Sequence, residues 1–263
     1  MSFNKIFIYS FASLVLLFLI APTFIVIPLS FSSSRYMEFP PPGFSLQWYD
    51  SFFSDPEWMG SLFLSLKVGI ASMILATILG TLASVNLARS HSKWTEPIYY
   101  ILITPMVVPL IIIAVVIYGF FVRLNLQGSF LGLVIAHTIV AIPFVITTVL
   151  GSLRSFDIRI EQAAISLGAH PIIAFCKITI PTIMPALISG ALFAFISSFD
   201  ELIISIFVSD SFSKTLPVKM WEGIRLEVDP TLAAIASVLI SFSIAVFIAL
   251  EILKKFSKKR GLA

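Results

Sequence analysis

The chain has 263 residues, 58% of them hydrophobic and 12% charged, whereas soluble domains run at about 45–50% apolar and about 25% charged. A soluble globule of this composition would lack polar surface to cover itself. The net charge of +3 is too mild to imply a nucleic-acid partner, so a cytosolic enzyme, a nucleic-acid binder and a disordered chain are disfavoured against a polytopic membrane protein. The one cysteine, Cys176, rules out an intrachain disulfide framework.

A bilayer core takes roughly 20 apolar residues per helix. Six stretches reach that length: 6–31, 60–87, 97–121, 128–153, 182–208 and 231–253. The first exceeds a signal-peptide core and lacks a small-x-small cleavage site, so it is expected to be a span. Six spans put both termini on one side. That side collects Lys5, Arg89, Lys93, Arg154, Arg159, Lys177, Lys254, Lys255, Lys258, Lys259 and Arg260. The other collects only Arg35, Arg123, Lys214, Lys219 and Arg225. The cation-rich side, with both termini, is therefore expected in the cytoplasm. Lys67, inside the second span, is expected to snorkel to the outer interface.

Small residues recur every four positions, keeping them on one helix face where backbones approach closely. The second span has Ser72, Ala76, Gly80 and Ser84, and the fourth has Gly128, Gly132 and Ala136. The fifth has Ala186, Gly190, Ala194 and Ser198, and the sixth continues the pattern from Ala233. These are expected to be packing seams. Pro105, Pro109, Pro143 and Pro185 are expected to kink or break their spans.

The chemistry of an autonomous engine is missing. There is no phosphate-cradling Gly-x-x-x-x-Gly-Lys-Ser/Thr stretch, no Gly-x-Ser-x-Gly elbow and no His-x-x-x-His pair. No catalytic residue and no metal ligand are assigned. His137, alone inside a span, is expected to bond a neighbouring helix. Energy for active transport would have to come from a partner or from an ion gradient.

The longest inner loop runs over about 154–181. Asp157 suits the N-cap of a short helix, and Ile160, Ala163, Ala164 and Leu167 line one face at helical spacing. Gly168 suits a left-handed stop, and Pro171 suits the first turn of a second short helix. The result is a knob too short to span, either a docking element or an ordinary interfacial loop.

The run Glu161-Gln162-Ala163-Ala164-x-x-x-Gly168, followed by Ile178-x-Ile180-Pro181, resembles the EAA signature of type I ABC-importer permeases. The resemblance covers nearly the whole chain. It implies an all-α integral membrane fold over 1–263: one six-helix permease domain with a core at about 60–254 and a cytoplasmic coupling loop. Glu161, Gln162, Ala163, Ala164, Gly168 and Pro181 would then form the ATPase-coupling element. The acid that usually precedes Ala-Ala is Gln162 here, with Glu161 one residue earlier, and a second common acid is Ser166, so charge is removed from the knob.

Asp200 and Glu201 lie in the fifth span, where an acid costs roughly 2.5–3.5 kcal/mol on insertion scales. About 19 residues beyond Pro181, at roughly 1.5 Å each, Asp200 falls in the outer half of the membrane. Adjacent helical residues point about 100° apart, so one acid can face a pathway while the other meets a neighbouring helix. Either the pair serves a solute path in this way, or Lys67, Arg123 or backbone donors satisfy it. An acidic, aromatic route suits a cation.

Three stretches resemble the spermidine/putrescine branch of these permeases, particularly its second, C-type subunit. They are Phe31-Ser32-Ser33-Ser34-Arg35, Ser198-Phe199-Asp200-Glu201-Leu202-Ile203-Ile204-Ser205 and Leu216-Pro217-Val218-Lys219-Met220-Trp221. The resemblance implies that Asp200, with Glu201 beside it, lines the solute path and that Lys219 and Trp221 lie near its outer mouth. It further implies a second related permease, two ATPase subunits holding ATP and magnesium, a periplasmic binding protein and a bacterial inner membrane. No cofactor in this chain and no nucleic acid are expected. Related branches carry opines, phosphonates, thiamine or iron. A secondary transporter is the competing class, but no inverted repeat is apparent.

Overall fold

The computed structural model describes residues 3–226 and 229–259, so Arg260 lies outside the described residues. The chain forms two compact units, one of residues up to Gly60 with Met220–Leu250, the other of Ser61–Lys219 with the residues from Glu251 on. Among the described residues the structure is helical, and the one β-type pairing is an isolated bridge between Ser32 and Phe44.

In the first unit, α1 (Phe3–Ser30) is almost wholly exposed along its apolar length, as a lipid-facing helix would be. The short helix α2 (Gln47–Ser54) folds back on the end of α1. Trp48 Nε1 donates to the Ser32 carbonyl at 2.6 Å, and the Ser30 and Tyr49 hydroxyls meet at 2.7 Å. Phe52, fully buried, anchors this turn against Trp58 with ring centroids 6.3 Å apart. In the same unit Gly223 lies close against Leu232 at the start of α12 (Thr231–Lys259).

The second unit is built around α6 (Phe130–Ser155), whose Leu133, Ala136, Ala141, Val145, Ile146 and Val149 are all completely buried. The long α3 (Pro56–Arg89) and α9 (Ile180–Phe199) pack on it through the predicted seams. Ser72, Ala76, Gly80 and Ser84 of α3 are buried, as are Gly190, Ala194 and Ser198 of α9. Val145 is the pivot. A Cβ on Gly80 would sit 2.8 Å from the Val145 Cβ, and one on Gly190 would sit 3.3 Å from its Cα. Two glycines on different helices thus make room for one branched side chain. Gly80→Ala is expected to force α3 and α6 apart and to destabilise by about 1–3 kcal/mol, the usual cost of overpacking. Thermal unfolding in detergent measures this, and Val145→Ala in the same chain should recover most of the loss.

The third expected span is broken. Its halves, α4 (Thr95–Ile103) extended by a 3₁₀ turn (Thr104–Met106) and α5 (Leu110–Leu124), are bent by 98°. Pro105 opens the 3₁₀ turn, and Pro109 caps α5 with ψ 127, outside the helical region. A proline ring also pushes the preceding residue out of helix, which places the break at Val107-Val108.

The fifth expected span differs at both ends. The predicted second short helix of the inner loop is not separate. α8 (Pro171–Ala174) runs through a π turn (Phe175–Thr179) straight into α9, one continuous helix of 29 residues from Pro171 to Phe199. The π turn has a physical cause. Pro181 lacks an amide hydrogen and its ring crowds the carbonyl four residues back; widening the turn, with Ile180 N–H reaching the Phe175 carbonyl, relieves that crowding. At the other end the helix stops at Phe199, and α10 (Ile203–Val208) resumes it after a gap at 200–202. Asp200 and Glu201 therefore lie in a break, not in a regular helix, and the 100° spacing expected between them does not hold.

Among the described residues four helices are long and apolar enough to cross a membrane. The bent α4–α5 pair would make a fifth, and the apolar stretch Thr231–Ala245 of α12 is shorter than these.

Candidate functional site

Two constructions in the second unit carry the predicted residues. The first is the knob. Asp157 caps α7 (Ile158–Ser166) as expected, its carboxylate accepting from the Arg159 amide at 3.0 Å. Gly168 follows the helix with φ +95, a conformation that side chains with a Cβ disfavour. His170 then caps the next helix, its Nδ1 accepting from the Ile172 amide at 3.3 Å. Gln162, Ala163 and Gly168 are exposed, and Ala164 and Pro181 are half-buried. Ile160 is 54%, Ile172 66% and Leu167 90% exposed. Single exposed apolar side chains are ordinary, but this row shares one small projection, an arrangement that suits contact with another polypeptide.

Glu161 points the opposite way. It is buried, and its Oε2 accepts from Arg89 Nη2 at 2.7 Å and from the Thr179 hydroxyl. The Arg89 guanidinium also lies 5.2 Å from the centre of the Phe175 ring. One cation, on the last turn of α3, thus holds α7 through Glu161 and the helix beginning at Pro171 through Phe175. The motif's own positions Gln162 and Ser166 leave no acid on the outer face, while Glu161 lies underneath, in an ion pair. A groove of about 490 Å³ runs beside it, lined by Thr81, Leu82, Val85, Asn86, Arg89, Ser90 and Phe175.

The second construction is the break after α9. Asp200 is exposed and Glu201 is buried. Glu201 accepts from the Ile204 amide at 2.9 Å, capping α10. Among the described residues no cation pairs with either carboxylate, and the Asp200 carboxylate has no hydrogen-bond partner; Lys67 and Arg123 are exposed. His137 of α6, fully buried, bridges the gap. Its Nδ1 lies 2.8 Å from the Ser198 hydroxyl and 3.0 Å from the Ser198 carbonyl, and its Nε2 lies 2.9 Å from the Ser205 hydroxyl. Ser205 in turn donates to the Glu201 carbonyl at 2.9 Å. The Phe195 and Phe199 rings stack at 5.6 Å on the last turn before the gap.

Lys219 and Trp221 both belong to α11 (Leu216–Leu226). Lys219 is half-buried in the second unit. In the first unit Trp221 is 38% exposed and carries the Arg225 guanidinium 5.2 Å from its ring centre. The loop ahead of α11 is stiffened by Asp210, whose carboxylate is held below its usual pKa by the Ser213 hydroxyl and the Phe212 amide. Among the described residues no group of three or more His, Cys, Asp or Glu side chains is placed to hold a metal ion.

Sequence reasoning missed Arg89 and Thr179 as partners of Glu161, and Ser198 and Ser205 as partners of His137. Ser198 was visible as the last member of a small-residue seam, and both serines as the ends of a stretch carrying the family resemblance, but neither pointed to His137.

Comparison with known proteins fits this geometry. Residues 76–259 match the family described as binding-protein-dependent transport system inner membrane component. The putrescine transport system permease protein PotI of Escherichia coli K12 is 33% identical over 251 residues, covering 92% of this chain and 89% of that protein. The spermidine/putrescine transport system permease protein PotC of the same strain is 30% identical over 249 residues, covering 95% and 94%. In fold, the chain is similar to a chain of a bacterial ABC transporter involved in the import of the acidic polysaccharide alginate, with a TM-score of 0.73 and 16% identity over 97% of this chain and 98% of that one. The architecture, the helical knob and the extent of these matches together place the chain in the binding-protein-dependent transport system inner membrane component family.

Proposed function

We propose that this chain is the permease subunit of an ATP-driven importer of polyamines, forming half of a translocation path across the bacterial inner membrane. In this reading it crosses the bilayer six times with both termini in the cytoplasm. It pairs with a second, related permease, two ATPase subunits that bind and hydrolyse ATP, and a periplasmic binding protein. The chain itself catalyses nothing. The observation that carries the reading is the knob at 157–181, which presents Ala163, Leu167 and Ile172 outward while an ion pair fixes it from beneath. A part with no engine of its own needs a stiff place to be pushed, and Gln162, Ala163, Ala164, Gly168 and Pro181 form that place. Putrescine and spermidine are the solutes named for the two Escherichia coli relatives, and a carboxylate at Asp200 that has no partner among the described residues suits an ammonium group.

Reconstitution tests this directly. Labelled putrescine is expected to accumulate in vesicles holding the full assembly with ATP and loaded binding protein, and not in vesicles lacking the ATPase. Uptake by this chain alone on a proton gradient would overturn the proposal. The elbow has its own test. A Cβ at Gly168 meets nothing within 4 Å, so Gly168→Ala acts through backbone strain alone, about 1–2 kcal/mol. It should weaken co-purification with the ATPase modestly, and Gly168→Trp should abolish it by adding bulk to the docking face.

A further inference from the structure

We propose that His137 is a positioning residue for solute selectivity: it clamps the two ends of the break in the fifth span and so fixes where the Asp200 carboxylate stands. This deepens the proposed function and rests on Asp200 lining the solute path.

Breaking a helix in apolar surroundings leaves the last carbonyls of one segment and the first amides of the next without partners, and each must find one locally. Here Glu201 satisfies the Ile204 amide from inside the break. Nothing in that local bond fixes the angle between the segments. His137 does so from a third helix. Its ring spans from Ser198, on the last turn of α9, to Ser205, on α10. Nδ1 meets the hydroxyl and carbonyl of Ser198 and Nε2 meets the Ser205 hydroxyl, so one ring ties both segments. Asp200 lies between these two clamped points, exposed and without a partner among the described residues. It does not touch His137; its place is set by the segments that His137 holds. A polyamine carries cations at spacings fixed by its methylene chain, so moving one carboxylate changes the match for one chain length more than for another.

The test uses the full reconstituted transporter with labelled putrescine and spermidine in competition. His137→Leu is expected to lower flux about tenfold, the loss that an unpaired buried hydrogen-bonding group brings, and to change the putrescine-to-spermidine flux ratio severalfold. His137→Gln, whose amide reaches toward Ser205, should recover most of the flux and the original ratio. Adding Ser205→Ala to His137→Leu should cost less than about twofold more, since the two act as a unit. A purely structural role would lower both solutes by the same factor, and an unchanged ratio overturns the proposal. If His137→Leu does not assemble, Ser205→Ala and His137→Gln decide: Ser205→Ala must itself move the ratio. Asp200→Asn in the same vesicles separates this inference from its foundation. Flux lost with Asp200→Asn but a fixed ratio in the His137 and Ser205 variants overturns the clamp alone, whereas full flux with Asp200→Asn overturns the pathway reading beneath it.

Discussion

Arg89→Ala is expected to destabilise the protein by about 3 kcal/mol and to stop ATP-driven uptake, because it leaves the Glu161 anion buried with, among the described residues, the Thr179 hydroxyl alone for company. Glu161→Gln should cost only about 1 kcal/mol. The asymmetry follows from exposure. The Glu161 side chain is 4% exposed and that of Arg89 is 35% exposed, so a stranded Arg89 can turn to water while a stranded Glu161 cannot. Arg89 also keeps its ring contact with Phe175 when Glu161 is neutralised. The double variant should be more stable than Arg89→Ala alone, since it removes the unpaired charge. Unfolding midpoints of the purified assembly check the order, with ATP-driven uptake measured beside them. The outcome also separates two roles for Glu161. If its charge met the ATPase directly, Glu161→Gln would abolish coupling and leave the midpoint unmoved. If it braces the knob from within, coupling and stability fall together, and more steeply for Arg89→Ala. Equal effects of the two single changes would remove the bracing role.

The parts of this molecule that were legible in the sequence are those written in short-range chemistry. Apolar runs reveal spans because bilayer thickness imposes a length on them. Asp157, Gly168 and Pro171 announced a cap, a left-handed stop and a restart, and each stands where it was expected. The small-residue seams of α3 and α9 were equally readable, since a period of four has one geometric meaning on a helix, but Gly128, read with Gly132 and Ala136, lies ahead of α6 in a turn with φ +70. Illegible were the partnerships that fold topology alone creates. Arg89 and Glu161 are 72 positions apart, and nothing local in either segment points to the other. Glu161 was read as part of a docking surface because the spacing that turns its neighbours outward does not say what lies behind it. The fifth span was read as a continuous helix because hydropathy does not register a break of three residues. The acids themselves were the signal: ending the helix there frees amides such as that of Ile204 for Glu201 to accept from. The run across Pro181 erred in the opposite sense. A proline there suggested a boundary, and one π turn absorbed it.

Asp200→Asn is expected to cut polyamine uptake by about tenfold or more while leaving assembly and unfolding midpoint unchanged. At about 4 Å, two opposite unit charges attract by roughly 1 kcal/mol in water and roughly 4 kcal/mol near a protein surface, and a factor of ten needs only about 1.4 kcal/mol. Stability should not move because the Asp200 carboxylate makes no hydrogen bond or ion pair among the described residues, so neutralising it removes nothing the fold uses. Its neighbour should behave in the opposite way. Glu201 is buried and caps α10 through the Ile204 amide, so Glu201→Ala should lower the midpoint by the worth of a cap, about 0.5–2 kcal/mol. Glu201→Gln, whose amide oxygen still accepts that bond, should lose little. On the proposed function the two carboxylates divide into one that the fold holds and one that the solute meets, and the pair of substitutions tests that division. An Asp200→Asn chain that transports normally, or a Glu201→Ala chain that keeps its midpoint and loses uptake, would exchange their roles.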